Sequence, residues 1–350
     1  MSRGKENGQR LKRNLLIVVG TLLGMFFLYL AFRDVSWSDL MAGIREMHPM
    51  YLVPCAILMV LVQLVRALRF GVILSPFCAL SVKSLWDILN IWGAANMVMP
   101  ARLAEFVRPY LLQRRGASFS STFGAVLVER FFDLTGLLLL LAVVLWKTPK
   151  IPQMYSYVGL ILLAALASGY VMVLLILTRR ETVEALMAAI LSLLPRRAGE
   201  FIGGILQRLI EGFGVMASFR RALIIFSYSI LLWILFSVMT YLFLQAFSIK
   251  APFLVAVTIQ VLICFGVALP SAPGFIGTFH AAGRYALALF GVHAVAAVSF
   301  ATVYHLFSLL ASLLLGFVSY VTSDFRFDRS VIVGSLDTAE RKAAEGVKCG

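Results

Sequence analysis

Six charged residues in two short runs stand inside an otherwise apolar stretch of sequence. Arg102, Glu105 and Arg108 follow Pro100 at steps of three, and Glu129, Arg130 and Asp133 fall within a single turn or so. Residues three and four apart share one face of a helix, so each run makes a stripe that mixes guanidinium with carboxylate. Arginines so placed can grip a phosphate bidentately, with the carboxylates orienting them or meeting a cationic headgroup. The alternative for the first run is basic flanking of a membrane helix, which accounts for Arg114 and Arg115 but not for Glu105. For the second it is an internally neutralised structural cluster near the interface.

Two proline-broken apolar segments lie beside these residues. The first, about 84–99, holds Asp87, Asn90 and Asn96 and stops at Pro100. The second runs through Leu269, Pro270, Pro273, Gly274 and Gly277 to His280, with Arg284 four residues further on. Pro273, Gly274 and Gly277 permit a tight turn and close approach of helices. Helix N-termini exposed at such a break attract anions. His280 belongs to the residue type that titrates near neutral pH, which brings proton coupling into view. His305, within a long apolar run, serves equally well as a hydrogen-bonded packing residue. Arg66 and Arg69 are read as ending a helix, where snorkelling to the interface is the default and a substrate role the alternative.

The elements that must position these residues are membrane helices. Hydrophobic residues make up 61% of the chain and charged residues 14%, far from globular averages. Several apolar runs exceed the roughly 18–20 residues needed to cross a hydrocarbon layer. Helices are expected over about 15–32, 50–65, 121–146, 154–178, 222–247 and 294–321. The first follows five basic residues and is long, with no small-residue cleavage pattern, and reads as a retained helix rather than a removed signal. Loop charges put the N-terminus and the arginine-rich loop 179–221 on the cytoplasmic side. With alternating crossings, the first broken segment enters and leaves from inside and the second from outside. The expected fold is therefore an all-α polytopic membrane protein, with about six transmembrane helices and two oppositely oriented re-entrant hairpins in an inverted repeat. Its units are about 50–146 and 222–321, within a single membrane domain 15–321. Residues 1–14 form a basic cytoplasmic N-terminus. Segment 183–219 is expected to be an amphipathic cytoplasmic segment, with Phe201 to Phe213 recurring at helical spacing, and 322–350 a disordered cytoplasmic tail. Paired interruptions in corresponding halves mark the binding site of many transporters, and irregular backbone at membrane depth is tolerated only where protein or a watery cavity satisfies it.

Several function classes have no support. The net charge of +14 sits in short loops beside helix ends, as membrane topology requires, and is no nucleic-acid footprint. Cys55, Cys78, Cys264 and Cys349 lack metal-ligand spacing and read as small apolar residues. Neither a nucleophile elbow nor a phosphate-binding glycine loop is present, so no cofactor is expected.

Three motifs occur in order: Asn96-x3-Pro100-x-Arg102-x2-Glu105-x2-Arg108, Glu129-Arg130-x2-Asp133, and Pro270-x2-Pro273-Gly274-x2-Gly277. Together they resemble the flippase-like membrane domain of lysylphosphatidylglycerol synthases and its free-standing relatives, over roughly residues 10–325. Two positions depart from the family pattern: Ala104 where glycine is usual, and His280 where a glutamate is usual, which could suit a different headgroup. The soluble aminoacyl-transferase domain of the two-part members has no counterpart here, so the resemblance implies lipid translocation and not aminoacyl transfer.

The expected function is movement of a polar or phosphate-bearing lipid across the cytoplasmic membrane, with both termini cytoplasmic. Arg102, Arg108 and Arg130 would bind phosphate. Glu105, Glu129 and Asp133 would orient them or bind a cationic headgroup. Asn96, Pro100, Pro273, Gly274, Gly277, His280 and Arg284 would complete the site. Two alternatives are a membrane-embedded lipid-modifying transferase and a lipid-binding subunit of a separate synthase. The partners this reading admits are an anionic lipid, such a synthase and a second copy of the chain.

Overall fold

A computed structural model describes residues 20–99, 104–117, 119–147, 153–192, 218–268 and 272–325, together with residues 195, 199, 203 and 204. Every regular element among them is a helix. They are α1 (Gly20–Phe32), α2 (Trp37–Arg45), a 3-10 turn (Pro49–Tyr51), α3 (Leu52–Leu74), α4 (Val82–Val98), α5 (Val107–Gln113), α6 (Phe119–Lys147), α7 (Gln153–Thr178) and α8 (Arg180–Ser192). After these come α9 (Phe219–Ala246), α10 (Phe253–Ala268), a 3-10 turn (Pro273–Phe275), α11 (Thr278–Ala288) and α12 (Ala294–Thr322).

Among the described residues, four helices are both long and apolar enough to cross a membrane: Pro49–Leu74, Ser156–Ile176, Phe219–Ala246 and Ala294–Thr322. The six expected crossings are met to that extent. Helix α6 has 29 residues, length enough to span, but carries Glu129, Arg130 and Asp133. Helix α1 is described only from Gly20. Expectations for residues 1–14, for Phe201–Phe213 and for the tail beyond Phe325 fall outside the described residues.

Two boundaries differ from the sequence expectation. The helix expected to end at Arg66 and Arg69 continues to Leu74. These arginines do not snorkel: Arg69 is buried with acidic partners, so nothing forces the helix to stop there. The loop Arg33–Pro49 contains α2, whose start is fixed locally. Ser36 caps it by accepting from the Asp39 amide at 3.1 Å, and Asp39 complements the helix dipole from the first turn.

The broken segments are helix–break–helix units. Met99, the last described residue before Pro100, is extended at φ −82°, ψ 130°, the region a following proline favours. In the second unit Gly274 has φ 67° and Gly277 φ 91°. A Cβ on Gly277 would run into the Gly24 carbonyl of α1, so both its conformation and its neighbour require glycine.

Packing follows the two halves. One apolar core joins α3, α4, α5 and α6, including Phe70, Ile88, Leu111 and Phe132. A second joins α9 to α12, including Phe243, Ile259, Leu287 and Phe300, with Cys55 of α3. The halves meet where α3 lies along α9 and α4 along α12, and α10 packs against α6 as α4 does against α12. At the α4–α12 crossing Gly316 faces Ala94 and the Asn90 carbonyl, and a side chain there would force the helices apart. The two breaks come together: Gly274 sits against the Met97 carbonyl at the end of α4.

Candidate functional site: a buried arginine–carboxylate cluster

A charged side chain at membrane depth costs several kcal/mol unless it faces protein or water and finds a partner. Here the charges of three helices, α3, α5 and α6, and of Glu105 just before α5 converge. Arg69 of α3 is 1% exposed. It donates from Nη1 to Asp133 Oδ1 at 2.5 Å and to Ser229 Oγ at 2.9 Å, and from Nη2 to Glu129 Oε1 at 3.0 Å. Arg108 of α5 is fully buried and donates to the other oxygen, Glu129 Oε2. Glu129 is thus clamped between two arginines that come from elements sixty and twenty-one residues away.

The open side of the cluster is less buried. Arg130 and Glu105 are 45% and 34% exposed and lie 3.2 Å apart, and Arg130 Nη1 stands 3.6 Å from Asp133 Oδ2. Glu105 Oε2 is 3.7 Å from Arg108 Nη2. Trp92 of α4 supplies an aromatic wall. Arg108 stacks over its ring at 3.9 Å, and Arg130 lies 5.8 Å from the same centroid, within cation–π range. A polar arm extends along α3, where Arg66 donates to Gln63 Oε1 at 3.2 Å and Gln63 donates to Asn90 Oδ1 at 2.7 Å. Among the described residues the cluster sets four arginines (66, 69, 108, 130) against three carboxylates (105, 129, 133).

The second break holds a smaller polar site. His305 Nε2 donates to the Gly274 carbonyl at 2.6 Å, which fixes its tautomer on that nitrogen because a carbonyl only accepts. His280 is buried with its ring 4.8 Å from that of His305, between Phe32 and Phe279. Elsewhere in this half Thr240 donates to Gln260 Oε1 and shares a hydrogen bond with the Tyr304 hydroxyl, both at 3.1 Å.

Of the residues expected from sequence, Glu105, Arg108, Glu129, Arg130 and Asp133 come together, and Pro273, Gly274, Gly277 and His280 form the second break. Asn96 is half-buried near the end of α4, four residues past Trp92. Pro100 and Arg102 lie outside the described residues. Arg284 is turned elsewhere: it donates to the Leu30 and Ala31 carbonyls at the end of α1 and to Asp34 at 2.5 Å. That contact caps a helix C-terminus, and the Arg284 guanidinium holds the Asp34 carboxyl below the usual carboxylate range. Ala104, where the family pattern has glycine, is fully buried in the first core.

Sequence reasoning underrated Arg69 and passed over Gln63, Trp92 and Ser229. A signal for α3 was present, since Gln63, Arg66 and Arg69 repeat at steps of three and share one face.

The description "Lysylphosphatidylglycerol synthase TM region" matches residues 17–316 of the chain. A glycosyltransferase, AglD of Haloferax volcanii, is 30% identical over 138 residues, which is 39% of this chain and 22% of that protein. The chain therefore matches only about a fifth of the length of that relative. No solved structure matches.

Proposed function

This chain belongs to the lysylphosphatidylglycerol synthase transmembrane-region family, and from that premise we propose that it translocates a phosphate-bearing lipid across the cytoplasmic membrane. The observation that carries the proposal is the arginine–carboxylate cluster beside the meeting point of two broken helices. Polar groups at membrane depth mark a functional site by default, and paired broken helices are where transporters bind their substrates.

In this reading Arg69, Glu129 and Arg108 are the fixed floor. Glu129 is shared between the two arginines, Asp133 meets the charge of Arg69 as well, and all three floor residues are buried. Arg130, Glu105 and Asp133 form the exposed rim, where Arg130 can exchange carboxylate partners for a lipid phosphate. Arg102, next to Pro100, is proposed to join it, and acyl chains stay in the surrounding lipid.

The proposed topology has six crossings and two re-entrant hairpins of opposite sense. The positions of the helix ends support it. His48 pairs with the Ala246 carbonyl at 2.8 Å and α2 packs on the start of α12, which gathers the segments assigned to the outside. Arg115 meets Asp324 at 3.5 Å and stacks on Phe325, which gathers segments assigned to the inside.

Purified chain in liposomes is expected to move a fluorescent phospholipid between leaflets, and Arg130→Ala to slow it by roughly tenfold or more, the worth of one charge-assisted contact. Wild-type liposomes no faster than empty ones would end the proposal. The glycosyltransferase of Haloferax volcanii to which part of the chain is similar favours a second reading, a transferase acting on a lipid carrier. Appearance of a covalently modified lipid in the same liposomes, given a soluble sugar or aminoacyl donor, would select it.

A further inference from the structure

The cluster differs from a general headgroup site in what it leaves over. Each described carboxylate of α4 to α6 and the breaks between them already holds a cation. Glu129 holds Arg69 and Arg108, Asp133 holds Arg69 and Arg130, Glu105 holds Arg108 and Arg130, and Asp87 holds Lys83. The second half supplies no more: between Phe219 and Ser323 the sequence contains no aspartate or glutamate. A cationic headgroup would have to displace one of these cations: at Glu129 that leaves a buried arginine unpaired, and at the rim it competes with Arg130, which Glu105 and Asp133 both hold.

Hydrogen-bond donors, by contrast, are in surplus. Arg69 Nε, Arg108 Nε, Asn90 Nδ2 and Trp92 Nε1 are buried without a hydrogen-bond acceptor, against the spare acceptor Asp87 Oδ1 beyond the cluster; Arg108 Nη2 and Glu105 Oε2 face each other at 3.7 Å, too far for a hydrogen bond. Buried donors without acceptors are costly, and oxygen atoms of a ligand would satisfy them. Among the described residues, four arginines against three carboxylates also leave positive charge to be met, to which Arg102 would add in the reading above, and a phosphodiester meets it.

Resting on the translocation reading above, we infer that the lipid is a phosphodiester monoanion whose polar end carries hydroxyls or other acceptors and no amine. The chain therefore rejects the aminoacylated lipid after which its family is described. Trp92 is the specificity-determining residue that this assigns: its face holds Arg108, and its indole N–H is offered to the headgroup.

The test uses the full chain in liposomes with tail-labelled phosphatidylglycerol and tail-labelled lysylphosphatidylglycerol. The expected result is movement of the anionic lipid at least about tenfold faster, one buried charge contact's worth of discrimination. Equal or faster movement of the lysyl lipid overturns the inference and leaves translocation standing. Movement of neither overturns both. Native mass spectrometry of the protein offered an equimolar mixture gives a second readout, in which the anionic lipid should be retained. Trp92→Phe keeps the ring against Arg108 but removes the N–H. It should weaken that retention roughly three- to tenfold, the effect of one hydrogen bond to a charged group, with an unchanged unfolding temperature. Full retention by this variant would take Trp92 out of the site.

Discussion

Glu129 shows how far two residues of one type can differ in role within one turn of Asp133. Its two oxygens accept from Arg69 and Arg108, both buried, so it neutralises charge that has no route to water. Glu129→Gln should cost about 3–5 kcal/mol of stability, the penalty for leaving a buried ion without its partner. Thermal unfolding in detergent checks this, and an unchanged midpoint would mean that both arginines reach water. Arg130 is adjacent in sequence but 45% exposed. Its replacement by alanine should alter stability by less than about 1 kcal/mol, as for a surface ion pair, while transport falls. Floor residues are thus separated from rim residues by which measurement moves.

At the scale of elements, the decisive features are the two breaks. Pro100 stops α4 through Met99, and Gly274 and Gly277 turn the chain between α10 and α11. The breaks meet across the halves and within them: Gly274 sits against the Met97 carbonyl of the first half, while its own carbonyl is taken by His305 of its own half. Gly277 also receives α1 edge-on through Gly24. Gly277→Ala should therefore destabilise by about 1–3 kcal/mol from left-handed strain alone, with more from displacing α1. Limited proteolysis between Phe32 and Trp37 should then speed up. Unchanged protection of that loop would show that α1 is held by Arg284 and Asp34 without the glycine contact.

For the whole molecule, pairing of α3 with α9 and α4 with α12 makes one body of two halves. The proposed inverted topology predicts that a single cysteine at His48 or Lys250 reacts with an impermeant reagent from outside intact cells, and one at Arg115 only after permeabilisation. Labelling of His48 and Arg115 from the same side would rule out the crossing pattern.

Much of this was legible in the sequence for a simple reason. In a membrane, length and apolarity set where a helix can lie, and a proline or a paired glycine sets where it stops; both are local. Thus the long helices, both breaks, and the stripes Glu105–Arg108 and Glu129–Asp133 were readable from composition and spacing. Partnership was not. Arg69 looked like an interfacial arginine because its partners are sixty and more residues away, and Arg284 looked like a site residue until α1 placed carbonyls against it. Trp92 looked like any aromatic in an apolar run. Only the packing of α3, α4, α5 and α6 decides which charges are buried, because a charge is stable at depth only where another element brings its counter-charge, and that depends on the approach of helices that no local spacing encodes.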